Sequence, residues 1–137
     1  PISFGELYTS LQQGVVDGAE NNLPSFYLSR HYEVCKFYTL DEHTVLPDVL
    51  LMSTHMWDSL SDQEKKWLGQ AVKESVTEQR KLWIESEKKS LDAVKKAGVE
   101  IIIPDKTLFS EKSKHILESY RDDKILYEFI ERIKKTK

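Results

Sequence analysis

The sequence predicts a mixed α/β or α+β domain, with strands held among helices of very unequal length. Val99 to Ile103 is a β-branched run stopped by Pro104, the pattern of a strand whose side chains fill a pleated surface. Val49-Leu50-Leu51-Met52 is a continuous apolar run entered through Pro47 and Asp48, and it reads as a strand buried on both faces. Between these two runs, from Ser61 to Gly98, only Gly69 interrupts a helical apolar stripe, so the sequence predicts one helix of roughly 50 Å at ~1.5 Å rise per residue. A compact domain of this size does not need so long a helix.

In chain order, Ser3 and Glu6 have the spacing of a capping box and predict a short helix with Leu7, Tyr8 and Leu11 on its apolar face. Gly14 fits the left-handed position that ends such a helix, and Val15 and Val16 favour a strand-like exit. Asp17-Gly18 marks a turn, and Ala19 to Pro24 is a polar loop carrying Glu20, Asn21 and Asn22 in a row. From Ser25 onward Tyr27, His31, Val34 and Tyr38 recur at helical spacing, predicting a helix followed by a short strand near Phe37 to Leu40. A second capping box, Ser61 with Glu64, opens the long helix, whose stripe includes Trp67, Trp83, Leu91 and Val94. After the Val99 strand, helices are predicted over about Leu108 to Tyr120 and Asp123 to Lys134. The chain divides on this reading into residues 1–60, the long helix at 61–98, and a strand with terminal helices at 99–137.

Composition narrows the function classes. The 137 residues are 31% charged and 39% hydrophobic, the balance of a globular protein with a core. A net charge of -3 with basic residues spread along the chain offers no field for a phosphate backbone, so nucleic acid is not expected as a partner. Lys134, Lys135 and Lys137 read as a solvated tail. Cys35 is the single cysteine, which excludes an internal disulfide and reads as a small buried hydrophobe. No apolar run reaches the ~20 residues of a bilayer span, and the chain starts at Pro1 without a leader pattern, which reads as a fragment of a longer protein.

Catalytic signatures are weak. His31, His43, His55 and His115 show no i,i+4 pairing and no cysteine pair joins them, so no metal is expected. There is no G-x-S-x-G elbow and no glycine-rich phosphate loop, which leaves nucleophilic catalysis and nucleotide cofactors without support; no cofactor of any kind is expected. Asp41-Glu42 and Asp122-Asp123 are adjacent carboxylates that point apart on regular structure. Trp67 and Trp83 read as core anchors in preference to a sugar-stacking platform. His43, in Asp41-Glu42-His43-Thr44 ahead of the apolar run, is the histidine a loop would present to a cleft.

The stretch Phe4-Gly5-Glu6-Leu7-Tyr8-Thr9-Ser10-Leu11-Gln12-Gln13-Gly14-Val15-Val16-Asp17-Gly18-Ala19-Glu20-Asn21 closely resembles a segment typical of solute receptors of tripartite ATP-independent periplasmic (TRAP) transporters. Asn22, Ser25-Phe26-Tyr27, Arg30-His31-Tyr32-Glu33-Val34 and Asp41-Glu42-His43-Thr44 resemble the same family, so the likeness covers nearly the whole chain. It implies a periplasmic binding protein-like α/β fold, of which this is the C-terminal part. The full receptor has two lobes with a mixed sheet, which close on a small organic acid, and the long helix crosses both. The family's carboxylate-gripping arginine lies on a strand upstream of the present first residue.

The resemblance assigns ligand-facing roles to five positions. Phe4 stands where the family sets an aromatic against the ligand, and Asn21 supplies an amide that orients the carboxylate. His43 matches a histidine near the cleft, with Glu20 bracing the site from behind and Asn22 beside it in the loop. Leu23 stands where many relatives carry proline. Asn21-Asn22 with Pro24, followed by Asp41-Glu42-His43-Thr44, resembles the branch that handles uronates and related sugar acids. The implied function is extracytoplasmic capture of a sugar-acid anion, without chemistry on it, for membrane permease subunits. Two other readings are a helical interaction module and a hydrolase using His43 with Glu42 or Asp41. The missing lobe predicts uncovered apolar surface and dimerisation or exchange of the long helix between copies.

Overall fold

The computed structural model describes residues 2–136. The first helix, α1 (Phe4–Gln12), begins after Ser3 as the spacing predicts, but the capping box does not form. The Glu6 amide instead donates to the Ser3 main-chain carbonyl at 3.0 Å, which leaves the serine hydroxyl without its capping bond. At the other end Gly14 takes φ 69°, its N–H donates to Leu11 O at 3.3 Å, and the Val15 N–H donates to Ser10 O at 2.9 Å. This pair of bonds is a Schellman closure, so Val15 finishes the helix and does not open a strand.

α2 (Leu23–Leu28) is capped by Asn22 and starts two residues before the sequence signal at Ser25; it carries Pro24 in its first turn, where a missing N–H costs nothing. The short strand expected near Phe37 to Leu40 forms as β1 (Phe37–Thr39), but the helix expected before it ends early: Arg30 adopts φ 59° and a 3-10 turn follows at His31–Glu33. Arginine in the left-handed region gives no compositional warning of such a break. Residues 40–53 then carry no helix or strand.

Val49, Leu50, Leu51 and Met52 fall in that stretch and are exposed, Leu51 to 82%. The buried strand expected here is therefore not formed: the segment pairs with neither β1 nor the later strand at Glu100–Ile102. α3 (Thr54–Ser59) is capped by Ser53, and α4 (Asp62–Lys96) opens with the predicted capping box fully made between Ser61 and Glu64. At 35 residues α4 spans about 52 Å. Gly98, at φ 85°, closes it with the same two-bond device as α1: its N–H reaches Lys95 O and the Val99 N–H reaches Val94 O, both at 3.0 Å. β2 (Glu100–Ile102) follows and pairs with β1 in a two-stranded sheet, the Glu100 N–H donating to Lys36 O at 2.9 Å next to the ladder. The presence of this sheet removes the purely helical module from consideration.

The core is small. Leu23 and Phe26 of α2 meet Val94 of α4 and Val99 just past its end, with Tyr27, Tyr32, Cys35, Tyr38, Leu91 and Ile101 packed around them. Val94 has no exposed surface, and full burial of such a side chain is worth about 1.5–3 kcal/mol. Cys35 is half-buried, and its thiol pKa is raised by burial. Trp67, expected as a core anchor, is 65% exposed, and Trp83 is exposed as well. Both lie on parts of α4 that the described residues leave uncovered.

Two compact units make up the chain. The first runs as far as Tyr38 and includes Glu42–Ile102; the second is Thr39–Asp41 with the chain from Ile103 onward. In the second unit α5 (Lys106–Glu118) is capped by Asp105 on the Thr107 amide, and α6 (Lys124–Lys135) by Asp123 on the Ile125 and Leu126 amides. α6 carries Ile125, Leu126, Phe129 and Ile133, all exposed.

Candidate functional site

All five residues assigned to the ligand by resemblance lie in the first unit. The loop between α1 and α2 is the best defined part of the site. The Asn22 side-chain oxygen accepts the Ser25 N–H at 2.9 Å and so caps α2. The Asn22 N–H in turn donates to Asn21 Oδ1 at 2.8 Å. With its oxygen turned to that backbone amide, the Asn21 carboxamide has its two N–H donors as the end available to an anion. From the other side, the Tyr38 hydroxyl donates to the Asn21 carbonyl at 2.9 Å. Leu23, the residue that departs from the family's proline, is the first of α2 and is buried in the core.

Phe4 is the first residue of α1 and keeps 55% of its surface exposed, as an aromatic wall requires. Its ring meets His31 edge-on, with centroids 5.7 Å apart and planes at 68°. His31 is only 3% exposed, and burial holds its imidazole below the usual histidine pKa. α1 is tied to the same 3-10 turn by Tyr8, whose hydroxyl donates to Glu33 Oε2 at 2.9 Å; that bond raises the phenol pKa. Arg30 lies 3.9 Å from the other Glu33 oxygen.

Glu20 and His43 come together, Glu20 Oε1 standing 3.9 Å from His43 Nε2. Both are exposed, and the separation exceeds hydrogen-bond length, so the contact is a charge interaction of small energy when the imidazole is protonated. Glu42, immediately before His43, has φ 49°, a left-handed conformation that turns the chain at this point.

The resemblance named Phe4, Glu20, Asn21, Asn22 and His43, but not Tyr38 and His31, which contact Asn21 and Phe4. Tyr38 and His31 occupied positions in an expected apolar helix face, and nothing in the spacing shows that one hydroxyl reaches back to residue 21 or that one imidazole meets Phe4. Elsewhere in the first unit an open depression lies between Tyr27 and the α4 face of Glu85, Lys88, Asp92 and Lys96. Lys89 lines it as well, so three lysines stand beside two carboxylates on an open surface. Among the described residues no group of three or more His, Cys, Asp or Glu side chains is placed to hold a metal ion, and no helix is long and apolar enough to cross a membrane.

Residues 1–123 match the family model described as bacterial extracellular solute-binding protein, family 7. A solute-binding protein of Chromohalobacter salexigens is 40% identical over 121 residues, covering 88% of this chain and 36% of that protein. Among solved structures, a TRAP periplasmic solute-binding protein of Bradyrhizobium in complex with α/β-D-galacturonate superposes with TM-score 0.82 at 42% identity, covering 99% of this chain and 46% of that one. A second, from Chromohalobacter salexigens with bound D-glucuronate, gives TM-score 0.83 at 38% identity over 93% of this chain and 43% of that one. The chain thus spans less than half the length of these relatives.

Proposed function

The chain belongs to family 7 of the bacterial extracellular solute-binding proteins, and from that membership we propose that it forms one wall of a periplasmic receptor for a hexuronate or related sugar acid. Phe4 covers a C–H face of the sugar, and the Asn21 amide donates to the carboxylate. His43, with Glu20 beside it, contributes polar contacts near the same ligand, and Asn22 fixes the loop that carries Asn21. Residues 1–60 are the ligand-facing part, α4 runs across both lobes, and the segment 99–137 packs back on them. Lobe closure around the bound anion presents it to the transporter's membrane subunits. No bond in the ligand is made or broken, so the protein is a carrier and not an enzyme.

One observation carries this reading: nearly the whole chain superposes, at about two-fifths identity, on proteins whose structures contain galacturonate or glucuronate. A desolvated amide-to-carboxylate bond supplies the specificity such a ligand needs. The test is calorimetry on the full-length protein with D-galacturonate, D-glucuronate and a C4-dicarboxylate. Tight binding of a uronate, weakened about 10- to 100-fold by Asn21→Ala, is expected from loss of a hydrogen bond to a charged group. Absence of binding to every acid, or wild-type affinity in Asn21→Ala, removes the proposal. Recovery of a uronate glycoside or lactone chemically unchanged after long incubation distinguishes the receptor from a hydrolase working through His43.

A further inference from the structure

We infer that Tyr38 is a positioning residue for the anion contact, fixing the Asn21 amide from the core; this rests on the receptor reading above. Tyr38 is half-buried, and its ring packs on Phe26, a core residue, with centroids 4.9 Å apart. Its hydroxyl therefore stands on a rigid base. That hydroxyl donates to the Asn21 carbonyl at 2.9 Å across 17 positions of sequence, in a loop where the nearby bonds are local. The Asn22 N–H closes on Asn21 Oδ1, and the Ser25 N–H closes on Asn22 Oδ1.

Each of the three bonds removes a different freedom. The Asn22 cap fixes where α2 begins, and the bond to Asn21 Oδ1 selects which end of the carboxamide is available as donor. Neither sets the position of the Asn21 peptide relative to the body of the unit. Tyr38 supplies that restraint, because it links the peptide to a side chain anchored in the core. An amide held in place before the ligand arrives loses less conformational freedom on binding, so affinity is gained without Tyr38 touching the ligand. Phe26 completes the relay by holding the tyrosine ring.

The test is a double-mutant cycle in the full-length protein with D-galacturonate and D-glucuronate as probes. Tyr38→Phe keeps the ring on Phe26 and removes only the hydroxyl. It is expected to weaken binding about three- to tenfold, the range of one ordinary hydrogen bond. In an Asn21→Ala background the same change is expected to cost almost nothing, since the amide it positions is gone. A merely structural hydroxyl would weaken binding equally in both backgrounds, and that result overturns the inference. If Asn21→Ala itself leaves affinity unchanged, the receptor reading of Asn21 fails first.

A ligand-independent measurement runs beside the cycle. Hydrogen exchange at the Asn22 and Ser25 amides is expected to quicken in Tyr38→Phe, and unchanged protection would also overturn the inference. Should neither uronate bind the wild-type protein, the ligand assignment fails, while amide exchange still decides whether Tyr38 holds the loop.

Discussion

The Phe4 ring packs in a T-shaped contact with the buried His31 imidazole, so the aromatic proposed to face the ligand is backed by a titratable group. Burial lowers the His31 pKa below its ordinary value of about 6.5. Below that value the unfolded chain accepts a proton that the folded chain refuses, so stability declines as pH falls from about 6.5 towards the folded-state pKa and is complete above this window. The other three histidines are exposed. Urea midpoints measured from pH 7.5 down to 5.5 are expected to fall for the wild-type protein and to fall less for His31→Gln. Equal slopes in the two proteins would locate the acid sensitivity elsewhere.

A closing glycine and an interior glycine of α4 predict opposite signs for the same substitution. Gly98 sits at φ 85° with open space where a Cβ would be, so Gly98→Ala suffers no clash and loses only backbone conformational energy, roughly 1–2 kcal/mol. Gly69 lies inside α4 with equally open space and no positive φ, and Gly69→Ala is expected to stabilise by about 0.5–1 kcal/mol. Chemical denaturation of both variants checks the pair. A loss at both positions would mean that packing, not backbone conformation, decides at position 69.

These helix ends also show what a single sequence reveals. Ser61-Glu64 and Ser3-Glu6 have the same spacing, yet only the first makes both capping bonds, because at the second the main-chain carbonyl of Ser3 already holds the Glu6 amide. Val99 to Ile103 and Val49 to Met52 give similar strand signals, and only the first finds a partner strand among the described residues. Local signals thus predict where a helix begins and how long α4 is, since those depend on neighbours in sequence. Pairing, burial and the left-handed turn at Arg30 depend on distant residues, and the pattern does not contain them. The same division holds at the candidate site: Asn21 and Glu20 are named only through the resemblance to a family, and the grip of Tyr38 on Asn21 exists only in three dimensions.

Asn22 separates a capping role from direct ligand contact. Its side-chain oxygen is engaged by the Ser25 N–H, and loss of such a cap costs about 1 kcal/mol. Asn22→Ala is expected to lower stability by that amount, with a weaker effect on uronate affinity than Asn21→Ala. Asn22→Ser, which retains a capping oxygen, is expected to restore both stability and affinity. Restored stability with affinity still lost in the serine variant would show that the Asn22 amide itself reaches the ligand.

The apolar segment before α3 predicts how the 137-residue chain behaves by itself. Val45, Leu46, Val49, Leu50 and Leu51 are all exposed within one short segment, and apolar area of this kind favours association at about 25 cal/mol per Å² removed from water. The isolated chain is therefore expected to show a mass that rises with concentration in light scattering. Replacing Leu46 and Leu51 with lysine should move it towards monomer, because charge at those positions must be desolvated for the surfaces to meet. The exposed apolar residues of α6 provide the control: if Phe129→Lys disperses the chain and the Leu46, Leu51 pair does not, the association surface is on α6 and the segment at 45–52 is a bystander.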